Sequence, residues 1–190
     1  MIELGARTAA LVLIDLQNGI VGLPLQPRSG KEVAERGIVL ARTFRAAGAM
    51  VILVNVEWAS DFADAPGSLV DTPSPRPSGG LPPAWSMLVD GLAEPGDLRI
   101  VKRQWGAFHG TELDLQLRRR GVTTIALAGI ATNFGVESTA RQAWEHGYNV
   151  VLLEDACASV SADLHNMAIS SVLPRIARVT QSSQILFAGA

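Results

Sequence analysis

Three features of the sequence could perform chemistry together: the carboxylate of Asp15, the amine of Lys102 and a turn that runs from Gly129 to Gly135. A carboxylate can serve as a general acid or base, and a lysine beside it stabilises the ionised form. Asp15 and Lys102 each have an ordinary alternative, because aspartate also caps turns and most lysines are exposed. Together with the glycine turn, they favour a reaction site.

The glycine turn lies between the apolar run 123–128, which predicts a buried strand, and small and apolar residues at helical spacing that stop at Gly147. A strand, a tight turn and the start of a helix direct backbone N–H groups and the positive end of a helix dipole towards one point. That arrangement suits an anion or a developing oxyanion. A reactive side chain is expected near Gly135, and glycine has none.

Predicted strands and helices alternate along the chain, and they must position these residues. Short apolar runs predict six strands, at 9–14, 51–56, 98–101, 123–128, 149–153 and 177–180. Helical patterns lie at 31–47, 111–120, 136–147, 161–173 and 182–187. The helix at 111–120 is expected to begin with a capping box formed by Thr111 and Asp114. This alternation predicts an α/β fold with a parallel sheet, in which ligands bind beyond the carboxyl ends of the strands.

The composition limits the partners of the protein. The 190 residues predict a single domain over 1–190, and the net charge of −2 argues against nucleic acid and a polybasic membrane surface. No signal peptide or apolar run of membrane length is evident, and the one cysteine, Cys157, excludes an intrachain disulfide. These features predict a soluble cytoplasmic protein that acts on a small molecule, without nucleic acid or membrane as a partner.

The alternation of strands and helices is interrupted at about 58–96, where seven of the ten prolines and the pair Gly79-Gly80 lie. Loops of this length in a compact domain are usually functional or disordered. We interpret this Pro-rich loop as a partly ordered excursion over the mouth of the site or into a subunit contact, and not as a linker between domains.

Five segments together resemble the isochorismatase-like hydrolase superfamily, also called the cysteine hydrolase family. They occur in order over nearly the whole chain: Leu13-Ile14-Asp15-Leu16-Gln17; Lys102 with Ala107-Phe108, Thr111 and Leu113; Gly129-Ile130-Ala131-Thr132-Asn133; Thr139-Ala140-Arg141; and Asp155-Ala156. The resemblance implies a three-layer α/β/α, Rossmann-like fold whose six-stranded parallel sheet has the strand order 3-2-1-4-5-6. It also implies a homo-oligomer, either a dimer or a tetramer.

The resemblance further implies a catalytic triad of Asp, Lys and Cys. Asp15 and Lys102 match the acid/base pair, whereas the cysteine position falls on Gly135. A cis peptide bond that helps to form an oxyanion hole is implied between Ile130 and Ala131. The thioester chemistry of most members is not expected here, because no thiolate stands at the helix N-terminus. Cys157 follows a different strand and is expected to be a buried structural cysteine.

Candidate substrate-binding residues come from the same segments and from nearby aromatic positions: Gln17, Trp58, Trp105, Ile130, Ala131, Asn133 and Phe134. The aromatic members of this set either line an apolar pocket or pack in the core. Family members that act on nicotinamide carry an Asp-x-His metal site after the second strand, and 56–61 contains no histidine. We therefore expect no metal and no cofactor. Surface or helix-packing roles are expected for the histidines, which lack ligand spacing: His109, His146 and His165.

Isochorismatases within this superfamily also have glycine at the cysteine position, and they cleave a vinyl ether without a covalent nucleophile. The leading hypothesis is therefore a hydrolase of a vinyl ether or a related C–O or C–N bond. Asp15 would be the general acid or base, Lys102 its electrostatic partner, and the Gly135 turn would bind substrate or water. Thr132-Asn133 resembles the amidase branch instead, so isochorismate is not assigned as the substrate. Lys102 would lower the pKa of Asp15 and burial would raise it, so both roles stay open.

Two alternatives to this hypothesis remain. A non-catalytic relative would bind a small carboxylate or amide at the retained site, as a sensor or partner subunit. Covalent chemistry through Ser138 or Thr139 would require a base beside a hydroxyl that is expected to lie inside a helix.

Overall fold

The computed structural model describes residues 1–188, and a six-stranded parallel sheet forms its centre. Within these residues the strands are β1 (Ile2–Leu4), β2 (Ala9–Ile14), β3 (Met50–Val56), β4 (Leu98–Lys102), β5 (Thr124–Ile130), β6 (Asn149–Ala158), β7 (Arg178–Thr180) and β8 (Ile185–Phe187). The α-helices are α1 (Asn18–Val21), α2 (Gly30–Ala46), α3 (Leu113–Arg119), α4 (Glu137–Glu145) and α5 (Ala162–Met167).

The central sheet has the order β4-β3-β2-β5-β6-β7, with every neighbouring pair parallel. Numbered as six predicted strands, this is the order 3-2-1-4-5-6, so the predicted three-layer α/β/α fold is confirmed. All six residues of β2 are buried, as are six of the seven residues in β3 and in β5. Strands covered on both faces need such continuous apolar runs, which is why these sequences were recognisable.

Helix α2 packs against the inner strands β2, β3, β5 and β6 of the sheet. It begins with a capping box in which Ser29 Oγ accepts from the N–H of Glu32 at 3.3 Å, and Glu32 Oε2 accepts from the N–H of Ser29 at 2.8 Å. Its predicted bounds, 31–47, differ from the observed ones by one residue at each end. Gly48, at φ 73°, lies in the left-handed region that ends helices.

Two local predictions are wrong. The capping box expected from Thr111 and Asp114 does not form: α3 begins at Leu113, and the Asp114 carboxylate instead accepts from the Tyr148 hydroxyl at 2.8 Å. The closing helix predicted at 182–187 is a single 3₁₀ turn followed by β8. Strand β8 pairs in parallel with β1 at the other end of the chain, and this partner overrides the local preference of three residues.

A helical segment lies where a helix was predicted at 161–173, but only its first part is an α-helix. Helix α5 gives way to a wider π turn over Ala168–Val172 and a 3₁₀ turn over Leu173–Arg175. A π turn, Thr132–Val136, also precedes α4, so the helix predicted at 136–147 begins with unusual geometry at the site. Such turns are frequent at functional sites. In the part of the chain that the structure describes, no helix is long and apolar enough to cross a membrane.

The end of the Pro-rich loop is fixed against the chain that follows β2. The N–H of Asn18 donates to Met87 O at 2.9 Å, and that of Val89 donates to Leu16 O at 3.0 Å. Gly19 permits this approach, because a Cβ atom there would lie 2.0 Å from Cδ1 of Trp85. The loop thus returns to the sheet beside the residue that carries the candidate carboxylate.

Candidate active site

The carboxyl ends of β2, β4 and β5 bring the three candidate features together. Asp15 follows β2 directly, Lys102 is the last residue of β4, and the glycine turn follows β5. Lys102 Nζ donates to Asp15 Oδ2 at 2.8 Å and to the carbonyl oxygen of Gln104 at 3.1 Å. Both charged side chains are buried, so the ion pair lies in an environment of low dielectric constant.

Asp15 is held in an uncommon backbone conformation, and one of its carboxylate oxygens has no hydrogen bond within the described residues. Its φ of 56° is in the left-handed region, which non-glycine residues rarely adopt and which is often found at functional sites. The carboxylate atom Oδ1 is buried and has no hydrogen-bond partner within residues 1–188. A buried acceptor without a partner is costly, so Oδ1 is suited to contact a reactant.

Burial and Lys102 act on the pKa of Asp15 in opposite directions. Burial raises the pKa of this carboxyl to about 6, although the charge and hydrogen bond of Lys102 lower it. The effect of burial is therefore the larger of the two. A carboxyl group with this pKa has substantial amounts of both its acid and its base form near neutral pH.

The turn after β5 contains a cis peptide bond between Ile130 and Ala131, as the resemblance implied. Gly129 precedes it at φ 127°, and a Cβ atom there would lie 2.1 Å from the carbonyl oxygen of Ile14, so only glycine fits. The N–H groups of Phe134 and Val136 donate to Ala131 O at 3.1 and 3.2 Å. Those two donors are thus used inside the turn and do not contribute to an oxyanion hole.

Gly135 is buried at the wall of the site and faces the ion pair. A Cβ atom built on it would lie 3.1 Å from Ile14 Cγ2, 3.3 Å from Asp15 Oδ2 and 3.4 Å from Trp105 O. Its own carbonyl oxygen accepts from Thr139 Oγ1 at 2.7 Å, and the same hydroxyl accepts from the N–H of Ala107 at 3.1 Å. The Thr139 hydroxyl thus forms its hydrogen bonds with backbone groups around the site.

A cavity of about 960 Å³ opens in front of this group. It is lined by the predicted residues Asp15, Trp58, Lys102, Trp105, Ile130, Ala131, Phe134 and Gly135. The aromatic rings form part of its apolar wall: Trp105 packs on Phe134 with ring centroids 4.7 Å apart, and Trp58 packs on Phe62 at 6.3 Å. The prediction that Trp58, Trp105 and Phe134 line a pocket therefore agrees with their placement.

Gln17 and Asn133, predicted as substrate-binding residues, do not line the cavity described by residues 1–188. The Gln17 amide is fully buried; it accepts from the N–H of Val56 at 2.8 Å and donates to Val56 O at 3.0 Å and Trp85 O at 3.2 Å. Asn133 Oδ1 accepts a hydrogen bond from the hydroxyl of Ser159. The Gln17 side chain thus holds backbone segments in place, whereas Asn133 contacts another side chain. Their role in substrate binding stays a prediction.

Several lining residues were not predicted. Arg103 could have been identified because it follows Lys102 directly. Ser138 and Gln142 could have been identified from helical spacing, because they lie on the face of α4 that continues from Gly135. Many of the others come from the Pro-rich loop, which supplies Phe62, 65–68, Val70 and 72–76 to the cavity wall. This placement agrees with an excursion over the mouth of the site.

His165 is a buried side chain that holds the glycine turn through a contact with Thr132. Its ring is buried; Nδ1 is 2.8 Å from Thr132 Oγ1, and Nε2 is 3.1 Å from Glu154 Oε1. Burial lowers the pKa of His165, although Glu154 opposes this. The pKa of Glu154 is lowered in spite of burial, because Gln181, His165 and Arg28 all donate to its carboxylate. No pattern in the sequence predicted this hydrogen-bond network.

Cys157 is fully buried, in agreement with its predicted structural role. Burial raises the pKa of its thiol to about 12, and Sγ is 3.4 Å from Leu153 O. A thiol in this state is a poor nucleophile. Among residues 1–188 there is no group of three or more His, Cys, Asp or Glu side chains that could hold a metal ion.

Comparisons with known proteins agree with this fold. The family model named Isochorismatase domain matches residues 9–184. The chain is 52% identical to the uncharacterized isochorismatase family protein YecD of Escherichia coli O157:H7, with 98% of each chain covered. It is 33% identical to the ureidoacrylate amidohydrolase RutB of Methylobacterium radiotolerans, over 90% of this chain and 75% of RutB.

The solved structure of an isochorismatase family protein from Burkholderia thailandensis superposes with a TM-score of 0.91, at 46% identity and with 96% of this chain and 95% of that one covered. The fold and site thus define an isochorismatase-like hydrolase. The chain belongs to the isochorismatase family.

Proposed function

We propose that the protein hydrolyses a vinyl ether or a related C–O or C–N bond of a small molecule, without a covalent thiol nucleophile. The observation that carries this proposal is the state of Asp15, which lines the cavity: Oδ2 is held by Lys102, whereas Oδ1 is buried and has no hydrogen-bond partner within the described residues. Gly135 and Cys157 supply no thiolate beside it. Asp15 is therefore the proposed acid/base group and Lys102 its partner.

The chemistry follows from the two protonation states of Asp15. With a C–N bond, ionised Asp15 takes a proton from water as the water oxygen attacks the carbon, and then gives that proton to the leaving nitrogen. With a vinyl ether, protonated Asp15 first donates to the alkene carbon, and the carboxylate then accepts a proton from the water that attacks the neighbouring carbon. Asp15 returns this proton to the ether oxygen of the resulting hemiketal and takes the hydroxyl proton, so that the C–O bond breaks and an alcohol and a carbonyl compound are released. Lys102 keeps the carboxyl oriented in both routes. A pKa of about 6 makes either starting form accessible near neutral pH.

The C–N option gains support from the relative RutB, which is named a ureidoacrylate amidohydrolase. We therefore propose to assay a panel of vinyl ethers, ureido compounds and small amides with the wild type, Asp15→Asn and Ser138→Ala. Turnover by the wild type and Ser138→Ala, with loss in Asp15→Asn, is the expected result. Equal turnover by the wild type and Asp15→Asn would show that Asp15 is not the acid/base group. A covalent adduct on Ser138 would show that the reaction proceeds by covalent catalysis instead.

The retained cavity also favours one second candidate, a non-catalytic relative that binds a small carboxylate or amide. The cavity and the buried ion pair would serve binding as well as catalysis. Tight binding without turnover of any panel member would support this candidate over a hydrolase.

We further propose that the protein is a homo-oligomer, a dimer or a tetramer, in a reducing compartment. Apolar side chains stand exposed at the rim of the cavity, where a second copy could cover them: Leu23, Val70, Trp105 and Val160. Light scattering on the purified protein measures the mass, and a monomer would contradict this proposal.

A further inference from the structure

The charges that line the cavity are unbalanced. Among the residues that the structure describes, the lining contains one carboxylate, Asp15, and three cationic side chains, Arg76, Lys102 and Arg103. Lys102 is already paired with Asp15, Arg103 is paired with Asp64 outside the lining, and Arg76 donates to the carbonyl oxygen of Pro66 within the exposed loop. A concave surface with an excess of one charge attracts ligands of the opposite charge.

Arg103 is the cation with unused hydrogen-bonding capacity at the wall. Its Nη1 atom is buried and has no hydrogen-bond partner between residues 1 and 188. Guanidinium groups are permanently charged, so proton loss cannot relieve an unpaired buried donor of this kind. The side chain as a whole remains 41% exposed, and Arg103 is one of the residues that line the cavity.

Two contacts fix the orientation of Arg103. Its Nε donates to Asp64 Oδ2 at 2.5 Å, and its backbone carbonyl oxygen accepts from Trp58 Nε1 at 2.7 Å. Asp64 is itself held by the N–H of Ala59, which donates to its Oδ1 at 2.8 Å. With Nε occupied, the two terminal nitrogens form the remaining edge of the guanidinium group. That edge matches the two oxygens of a carboxylate.

We propose that Arg103 binds a carboxylate group of the substrate and thereby selects for anionic ligands. The apolar rings of Trp58, Phe62 and Phe134 in the same cavity would hold the body of the molecule. A planar carboxylate fits one edge of a single guanidinium better than a phosphate does, because phosphates are usually held by several donors at once. The assignment rests on the proposed function, since it names the substrate class of the site that contains Asp15.

The test compares benzoate with benzamide, two planar probes of the same shape that differ in charge. Calorimetry would measure the affinity of each probe for the wild type, Arg103→Met, Arg103→Lys and the control Arg76→Met. We expect the wild type and Arg76→Met to prefer benzoate by at least about tenfold. Arg103→Met should lose this preference, and Arg103→Lys should keep part of it because the charge remains but the flat edge does not.

A preference for benzoate that persists in Arg103→Met would contradict the proposal, as would equal affinity for both probes or no binding of either by the wild type. Competition by inorganic phosphate at an affinity similar to that of benzoate would contradict the choice of a carboxylate. Asp15→Asn separates this proposal from the hydrolase function. If it keeps the preference for benzoate and no panel compound is turned over by the wild type, the carboxylate site stands and the proposed hydrolysis fails.

Discussion

A Cβ atom built on Gly135 lies 3.3 Å from Oδ2 of Asp15. Any side chain at position 135 would therefore stand directly beside the candidate acid/base group. The φ angle of Gly135 is not positive, so the backbone alone does not demand glycine there. The identity of this residue decides instead what occupies the space in front of the carboxylate, and with glycine that space is open to a reactant.

Gly135→Cys should place a reactive thiol in the cavity. In a Cys157→Ala background we expect iodoacetamide to modify Gly135→Cys, because the new thiol faces the cavity at the start of a helix and near Lys102. Both Gly135→Cys and the matched Gly135→Ala should lose about 1–3 kcal/mol of unfolding free energy, since Cβ comes within 3.1 Å of Ile14. Intact-mass spectrometry measures the modification. A Gly135→Cys protein that stays unmodified in the native state would show that position 135 does not open into the cavity.

Cys157 should be dispensable for activity. Its thiol is buried with a pKa of about 12, so iodoacetamide should neither label the native wild type nor inhibit it. Cys157→Ala should keep the turnover of the wild type and lose about 1 kcal/mol of stability through the small cavity that it leaves. Loss of activity in Cys157→Ala at unchanged stability would assign chemistry to this residue.

Lys102→Met should destabilise the protein strongly above neutral pH. It leaves the Asp15 carboxylate buried without its cation, which typically costs about 3–5 kcal/mol. The double variant Asp15→Asn/Lys102→Met should recover much of that loss, because the uncompensated charge is gone. Urea denaturation of the four proteins at one alkaline pH gives the coupling energy. Additive effects would mean that the two side chains are not paired in solution.

His165→Ala should weaken the support of the glycine turn. It leaves Thr132 Oγ1 without its buried partner and removes one contact of Glu154, at a cost of about 2–4 kcal/mol. His109→Ala is the control, since His109 is exposed and its loss should change stability by less than about 0.5 kcal/mol. Urea denaturation compares the two variants. Equal stability of the two would argue that the Thr132–His165 contact contributes nothing to the fold.

The sequence predicted the structure best for elements whose conformation depends mainly on their own residues. Strands β2, β3 and β5 are covered on both faces, so their continuous apolar runs predicted them directly. The carboxyl ends of β2, β4 and β5 predicted where Asp15, Lys102 and the glycine turn would meet. The order of the strands in the sheet was implied by the resemblance to the family. The pairing of Asp15 with Lys102 was implied by the same resemblance, because each residue type alone has an ordinary alternative.

Contacts between distant segments were not predictable in this way. Strand β8 exists because β1 lies beside it, and three residues carry too weak a pattern to show this. Gln17 was predicted to bind substrate because it stands two residues after Asp15, whereas its amide links the ends of two strands to the Pro-rich loop. Arg103 and the loop residues at the cavity wall depend on how an irregular segment folds back, for which periodicity gives no signal.

The most direct test of the account is the pH dependence of kcat/KM for a panel compound that the wild type hydrolyses, between about pH 4.5 and about pH 8. Asp15 should produce an inflection near pH 6, with activity rising with pH for a C–N bond, where the carboxylate acts first, and falling for a vinyl ether, where the acid acts first. Asp15→Asn should be at least about a hundredfold slower and should lack the inflection. A wild-type profile without an inflection near pH 6, or one that Asp15→Asn leaves unchanged, would contradict the assignment of Asp15 as the acid/base group.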